Sequence, residues 1–167
     1  MKIVDGRGRF QFLSYPLMTF LADMNWKRNG SDLLLAVPDY QREFVWSEDR
    51  YKNYIRSIFD GELPLSPIFI DARDNSTWYI IDGKHRINAL ILFYNDNLEV
   101  DGVYYSDLDR VDQMFFEMQI LPTYDVKYLS QADIIRLYLK LNFEAVPHTG
   151  QDREKAERLL KSVNNDK

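Results

Sequence analysis

A chain of 167 residues carrying 21 Lys plus Arg against 26 Asp plus Glu has a formal charge of -5 and a length that suits roughly one domain. Hydrophobic residues make up 46%, enough for one packed core, and the absence of Cys removes disulfide scaffolds, thiolate metal sites and cysteine nucleophiles. With only His85 and His148 an imidazole-rich zinc site is improbable, and the acidic balance argues against a protein that coats DNA through many phosphate contacts.

The N-terminal MKIVDGRGR has no apolar h-region, and no stretch nears the roughly 20 apolar residues of a spanning helix, so the expectation is a cytoplasmic protein with no membrane partner. Leu17, Phe20, Leu21 and Met24 recur at helical spacing after Ser14 and Pro16, which predicts a first helix over 14–30. Residues 33–37 form a short apolar run ended by Pro38 and read as a strand, followed by a nonhelical segment over 39–46 dense in polar and aromatic residues. Ser47 is a cap-type residue with Glu48 and Asp49 behind it, and Tyr51, Tyr54, Ile55, Ile58 and Phe59 give one apolar face, the clearest helix in the chain.

Pro64 and Pro67 bracket a loop into a strand at 68–70, and Asp74, Asn75 and Ser76 make a turn into a second strand at 78–81. Asp82-Gly83 breaks that strand, and residues 84–94 are apolar and long enough for a mostly buried helix. A hairpin about Asp101-Gly102, a short helix over 106–116 and a strand at 118–121 follow. Ser130 with Asp133 opens a helix running through Leu141, and a charged helix over 151–162 precedes a tail expected to fray.

The strand-to-helix junction carries the chemistry. Ile81-Asp82-Gly83-Lys84-His85-Arg86 puts three basic or titratable side chains at a helix start behind a glycine. The first amides of a helix lack partners within it and the macrodipole is positive there, so cations at this end oppose the dipole unless an anion is present. The pattern therefore points to a phosphate held by Lys84, Arg86 and the backbone, with Gly83 allowing close approach and His85 available for proton transfer. The competing reading pairs Arg86 with an internal carboxylate and leaves Lys84 solvated.

A second cluster, Pro38-Asp39-Tyr40-Gln41-Arg42-Glu43-Phe44-Val45-Trp46, sets Gln41 and Arg42 among aromatics. Arg42 suits a bidentate phosphate contact, and Tyr40 or Trp46 could stack on a base. Alternatively Tyr40, Phe44 and Trp46 form an alternating apolar face with Gln41 and Arg42 turned to solvent.

Together the two clusters resemble the N-terminal domain of GmrSD-type modification-dependent restriction systems, within the ParB/sulfiredoxin-like superfamily. Pro38, Tyr40, Gln41, Arg42 and Trp46 match Pro-x-Tyr-Gln-Arg-x-x-x-Trp, and Ile81, Asp82, Gly83 and Arg86 match Ile-Asp-Gly-Gln-Gln-Arg; Lys84 and His85 replace the family's two glutamines. Leu141-Asn142 resembles a later family segment in which a helix ends in Leu-Asn before a loop. The resemblance is strong over 33–94 and looser elsewhere. It implies an α+β, ParB/sulfiredoxin-like fold: a small mixed sheet flanked by helices, in a single domain over 1–167 with its core motifs in 33–94 and a helical part over 106–162.

The resemblance also implies a nucleotide or nucleic-acid phosphate site at the Asp82-Gly83-x-x-Arg86 turn. Combined with the chemistry of the residues themselves, the expected binding set is Gly83, Lys84, Arg42, Gln41, Tyr40 and Asn142, with His85, Arg86 and Asp82 as the catalytic set and Asp82 as the holder of any Mg²⁺. Sulfinate repair is excluded, because Lys84 stands where that chemistry needs a cysteine. The expected function is hydrolysis of a nucleoside triphosphate in restriction or phage–host conflict, with the NTP and DNA or a host or restriction protein as the expected partners. The alternatives are a noncatalytic nucleotide- or DNA-sensing module, a small metal-dependent nuclease and, more weakly, a small-molecule kinase. No His-Asn-His nuclease domain is expected within these 167 residues, so DNA cleavage by this chain alone is not expected.

Overall fold

The structure is a computed structural model that describes residues 10–26, 34–41, 44–61, 65–73, 77–126, 128–143, 157–158 and 160–162. Its five strands are β1 (Gln11–Pro16), β2 (Leu34–Ala36), β3 (Ile68–Asp71), β4 (Thr77–Asp82) and β5 (Ile120–Asp125). Its α-helices are α1 (Leu17–Trp26), α2 (Glu48–Phe59), α3 (Lys84–Tyr94), α4 (Arg110–Glu117) and α5 (Gln131–Phe143). The strands form one mixed sheet in the order β1-β5-β3-β4-β2, so the architecture is the expected α+β. The pairs β1–β5 and β3–β4 are antiparallel, whereas β3–β5 and β2–β4 are parallel.

Strand periodicity sends successive side chains to opposite sheet faces, and the core divides accordingly. Ile68, Ile70, Ile80 and Leu121 belong to the larger cluster with Leu17, Phe20, Ile55, Leu90, Phe93 and Phe116 from helices α1 to α4. Ile81 points the other way, into a smaller cluster with Tyr40, Ile134, Ile135 and Tyr138, where α5 covers the sheet and Phe69 packs alongside. The central strands are thus buried on both faces, which explains their unbroken apolar runs.

Local chemistry sets the element boundaries, at Ser47 as expected and at Asp109, where the sequence analysis predicts none. Ser47 caps α2, its side chain accepting from the Arg50 amide, and Asp109 caps α4 by accepting from the Val111 (2.8 Å) and Asp112 (2.9 Å) amides. The α4 start at Arg110 corrects the helix predicted from residue 106; Tyr105–Asp107 forms a separate 3-10 turn. The predicted hairpin shrinks to a single bridge between Val100 and Val103, with Asp101 and Gly102 at φ 55 and 80 as a two-residue reversal requires.

Two corrections concern the sheet. Ser14 does not open a helix: it lies in β1 opposite Pro122, and α1 begins only at Leu17, where the backbone amide donates to Gln119 O (2.8 Å). The strand predicted over 118–121 runs instead from Ile120 to Asp125, past Pro122, which lies outside the stretch paired with β3. The predicted turn at 74–76, most of the charged helix over 151–162 and the tail lie outside the described residues.

Candidate functional site

The site grows from the end of β2. That strand pairs with β4 only as far as Tyr79, so the next β4 carbonyls have no strand partner on that side. Pro38 has no N–H to extend the ladder, and the chain reverses there, the Gln41 amide donating to Pro38 O (2.9 Å). The Gln41 side chain then takes over the ladder's role: its Nε2 donates to Ile80 O in a short bond and to Ile81 O at 3.2 Å. Gln41 is 8% exposed, so the reading that turned it to solvent does not hold for this residue.

β4 ends at Asp82, and Gly83 turns the chain into α3 with φ 99, a left-handed conformation that glycine adopts without strain. A Cβ at this position would lie 2.6 Å from Ile68 Cγ2, so the turn fits tightly against β3. No side chain caps α3; its first internal bond runs from the Ile87 amide to Gly83 O (2.9 Å), and the amides ahead of Ile87 have no acceptor within the helix. In front of this turn lies a cleft of about 140 Å³, lined by Gln41, Trp46, Ile81, Asp82, Gly83, Lys84, His85, Arg86, Tyr138 and Asn142.

The three cationic or titratable residues differ in what they touch. Arg86 Nη2 donates to Asp82 Oδ2 (2.7 Å) and Nη1 donates to Pro67 O (3.0 Å). The internal pairing weighed from the sequence is therefore present, and Asp82 supplies the negative charge favoured at a helix N-terminus, yet the cleft is present too. Those two bonds use two of the five N–H groups of the guanidinium. Lys84 is 6% exposed rather than solvated, and its Nζ lies 5.1 Å from the centre of the Phe44 ring.

His85 Nε2 accepts a hydrogen bond from the Val45 amide (2.9 Å), so that nitrogen carries a lone pair and the ring proton sits on Nδ1. Trp46 stacks on the imidazole (5.3 Å, 15°) and Phe44 meets it edge-on (5.5 Å, 83°). His85 thereby ties the 44–46 segment to α3. Tyr40, by contrast, is buried against Tyr138 (5.2 Å between rings), and burial, followed by the Asp71 carboxylate, pushes its phenol pKa well up. Asn142 lines the cleft from α5 and donates from Nδ2 to Tyr138 O (3.0 Å). Of the sequence-predicted residues, the structure brings Gln41, Asp82, Gly83, Lys84, His85, Arg86 and Asn142 to one cleft and places Tyr40 behind it; Arg42 and His148 lie outside the described residues.

Sequence reasoning missed Tyr138, whose spacing four before Asn142 puts the two on one face of α5, and the Pro67 carbonyl, which carries no side-chain signal. Among the described residues no group of three His, Asp or Glu side chains is arranged to hold a metal ion, and no helix is long and apolar enough to cross a membrane.

The sequence model of the family described as "GmrSD restriction endonuclease, N-terminal domain" matches residues 22–166, nearly the whole chain. The chain belongs to this family. No curated protein and no solved structure matches it. The GmrSD N-terminal domain is a ParB/sulfiredoxin-like fold of a modification-dependent restriction system, and the motif-bearing cleft lies within the matched stretch. In this GmrSD-type domain His85 Nε2 is the acceptor for the Val45 amide, a role that a glutamine carbonyl oxygen fills equally well.

Proposed function

We propose that this domain binds a nucleoside triphosphate by its phosphates in the cleft before Gly83 and hydrolyses it in the service of restriction. The observation that carries the reading is the convergence of Lys84, Arg86 and the α3 N-terminus on one polar cleft. Phosphoryl transfer needs positioning and charge stabilisation above all, and these groups supply both. Gly83 supplies the left-handed turn that starts α3 at the cleft, its missing side chain making room for Ile68 rather than for the ligand, while the remaining Arg86 N–H groups and Lys84 offset the polyphosphate's charge and Gln41 keeps the cleft wall in register with β4. Among the described residues the Asp82 carboxylate bonds only to Arg86, through Oδ2, which fits a Mg²⁺ ion held by one carboxylate and phosphate oxygens; the ion would neutralise developing charge.

The test is phosphate release from each NTP, with and without Mg²⁺, by the wild type, Asp82→Asn and Arg86→Ala. Each substitution is expected to lower turnover by about 10²-fold or more; full turnover in both variants would overturn the reading. A second reading, binding without turnover, is favoured by one observation: Nε2 of His85 is engaged by the Val45 amide, so this imidazole is placed to hold a loop rather than to carry a proton. Saturable nucleotide binding with no product would select it. DNA and a restriction partner protein belong to the same proposal as downstream partners of the nucleotide-bound state.

A further inference from the structure

The cleft is too small for a whole nucleotide. Pockets that enclose drug-sized molecules run to about 300–1,000 Å³, against about 140 Å³ here, enough for the charged end of the ligand. A base and ribose attached to that end must lie at the rim. Of the other aromatic rings lining or backing the cleft, Tyr40 is 6% and Tyr138 2% exposed, and Trp46 is half-buried with the His85 imidazole stacked over one of its faces.

Phe44 is different. It is 48% exposed, beside Val45 at 56%, and, without lining the cleft itself, contacts two residues that do, Lys84 and His85. It is also held in place: its ring meets His85 edge-on, Lys84 Nζ lies 5.1 Å from its centre, and the next residue's amide is bonded to His85 Nε2. An aromatic surface fixed before the ligand arrives loses little conformational freedom on binding. Lys84, which faces both the cleft and this ring, links the phosphate end to the rim. Resting on the triphosphate reading of the cleft, we infer that Phe44 is the platform on which the ligand's base stacks, so that the site selects a base-bearing triphosphate over inorganic polyphosphate. Because every base offers a π-face, this contact discriminates weakly among the four.

The test is calorimetric binding, in Mg²⁺, of ATP, CTP, inorganic tripolyphosphate and a single-stranded oligonucleotide to the wild type, Phe44→Ala and Phe44→Trp. The wild type is expected to prefer both nucleotides to tripolyphosphate. Phe44→Ala is expected to weaken nucleotide binding roughly 5- to 150-fold, collapsing that preference, and Phe44→Trp to restore it. An unchanged preference in Phe44→Ala, equal losses for nucleotides and tripolyphosphate, or no rescue by Trp would each overturn the stacking role while leaving the cleft reading intact. Failure of tripolyphosphate and nucleotides alike to bind the wild type would overturn both, and binding of the oligonucleotide alone would assign the platform to a nucleic acid instead.

Discussion

The hydroxyl of Tyr54 is the one fully buried side-chain polar atom among the described residues without a hydrogen-bond partner. It sits on α2 near Arg86, and burial pushes its pKa up to about 12, with Arg86 pulling weakly the other way. A buried donor left unsatisfied costs about 1–3 kcal/mol, so Tyr54→Phe should raise stability at pH 7 by about 1 kcal/mol, read from urea unfolding. The pH dependence follows from the same burial. Below pH 10 the phenol is protonated in both states; above it the unfolded chain ionises first, binds fewer protons than the folded one, and stability falls until the folded pKa is reached. Wild-type stability should therefore decline between about pH 10 and 12, and Tyr54→Phe should flatten that decline. Tyr40 and Tyr105, shifted upward by burial as well, keep part of the slope in the variant. A variant destabilised at pH 7 would contradict this account of the hydroxyl. At this scale the sequence was informative about charge and silent about partners: the misfit of Lys84 and Arg86 with a helix N-terminus was legible, whereas the burial of Lys84 beside Phe44 depends on a loop that only the folded chain brings near.

Among the elements, α3 does most to define the site, and His85 joins it to the 44–46 segment. If His85 acts through the Val45 bond, a side chain that keeps an acceptor there should preserve the segment. His85→Gln is expected to retain nucleotide binding and, where turnover exists, most of it; His85→Ala is expected to lose about 2 kcal/mol of stability, since it leaves a half-buried amide without its acceptor and removes the ring on which Trp46 stacks. Binding and unfolding measured on both variants check this, and loss of turnover in His85→Gln with binding intact would instead mark the imidazole as a proton carrier. The helices were legible where cap and periodicity agreed, as in α2 with Ser47 ahead of Tyr51, Ile55 and Ile58. β1 was not: its Ser14 and Pro16 carry the same local signals as a helix start, and hydrogen bonds to β5, far off in sequence, decide in favour of a strand.

Over the whole molecule, the sheet separates a large core under α1 to α4 from a smaller one under α5, and the cleft opens where β4 gives way to α3 between them. Among the described residues its walls come from Gln41 and Trp46, the 81–86 turn and the C-terminal end of α5, all distant in sequence. The paired motifs made the first two readable together, because a family likeness fixes their separation, while the α5 wall was readable only in Asn142 and not in Tyr138. The Arg86–Asp82 pair sits inside the cleft's lining, so under the proposed function an incoming phosphate would meet a guanidinium already oriented by a carboxylate. The most direct measurement is an NMR titration of the ¹⁵N-labelled domain with inorganic tripolyphosphate, followed at every amide. The account predicts saturable shifts concentrated at Gly83, Lys84, His85 and Arg86. Shifts absent from these four amides, or scattered over the surface without saturation, would contradict it.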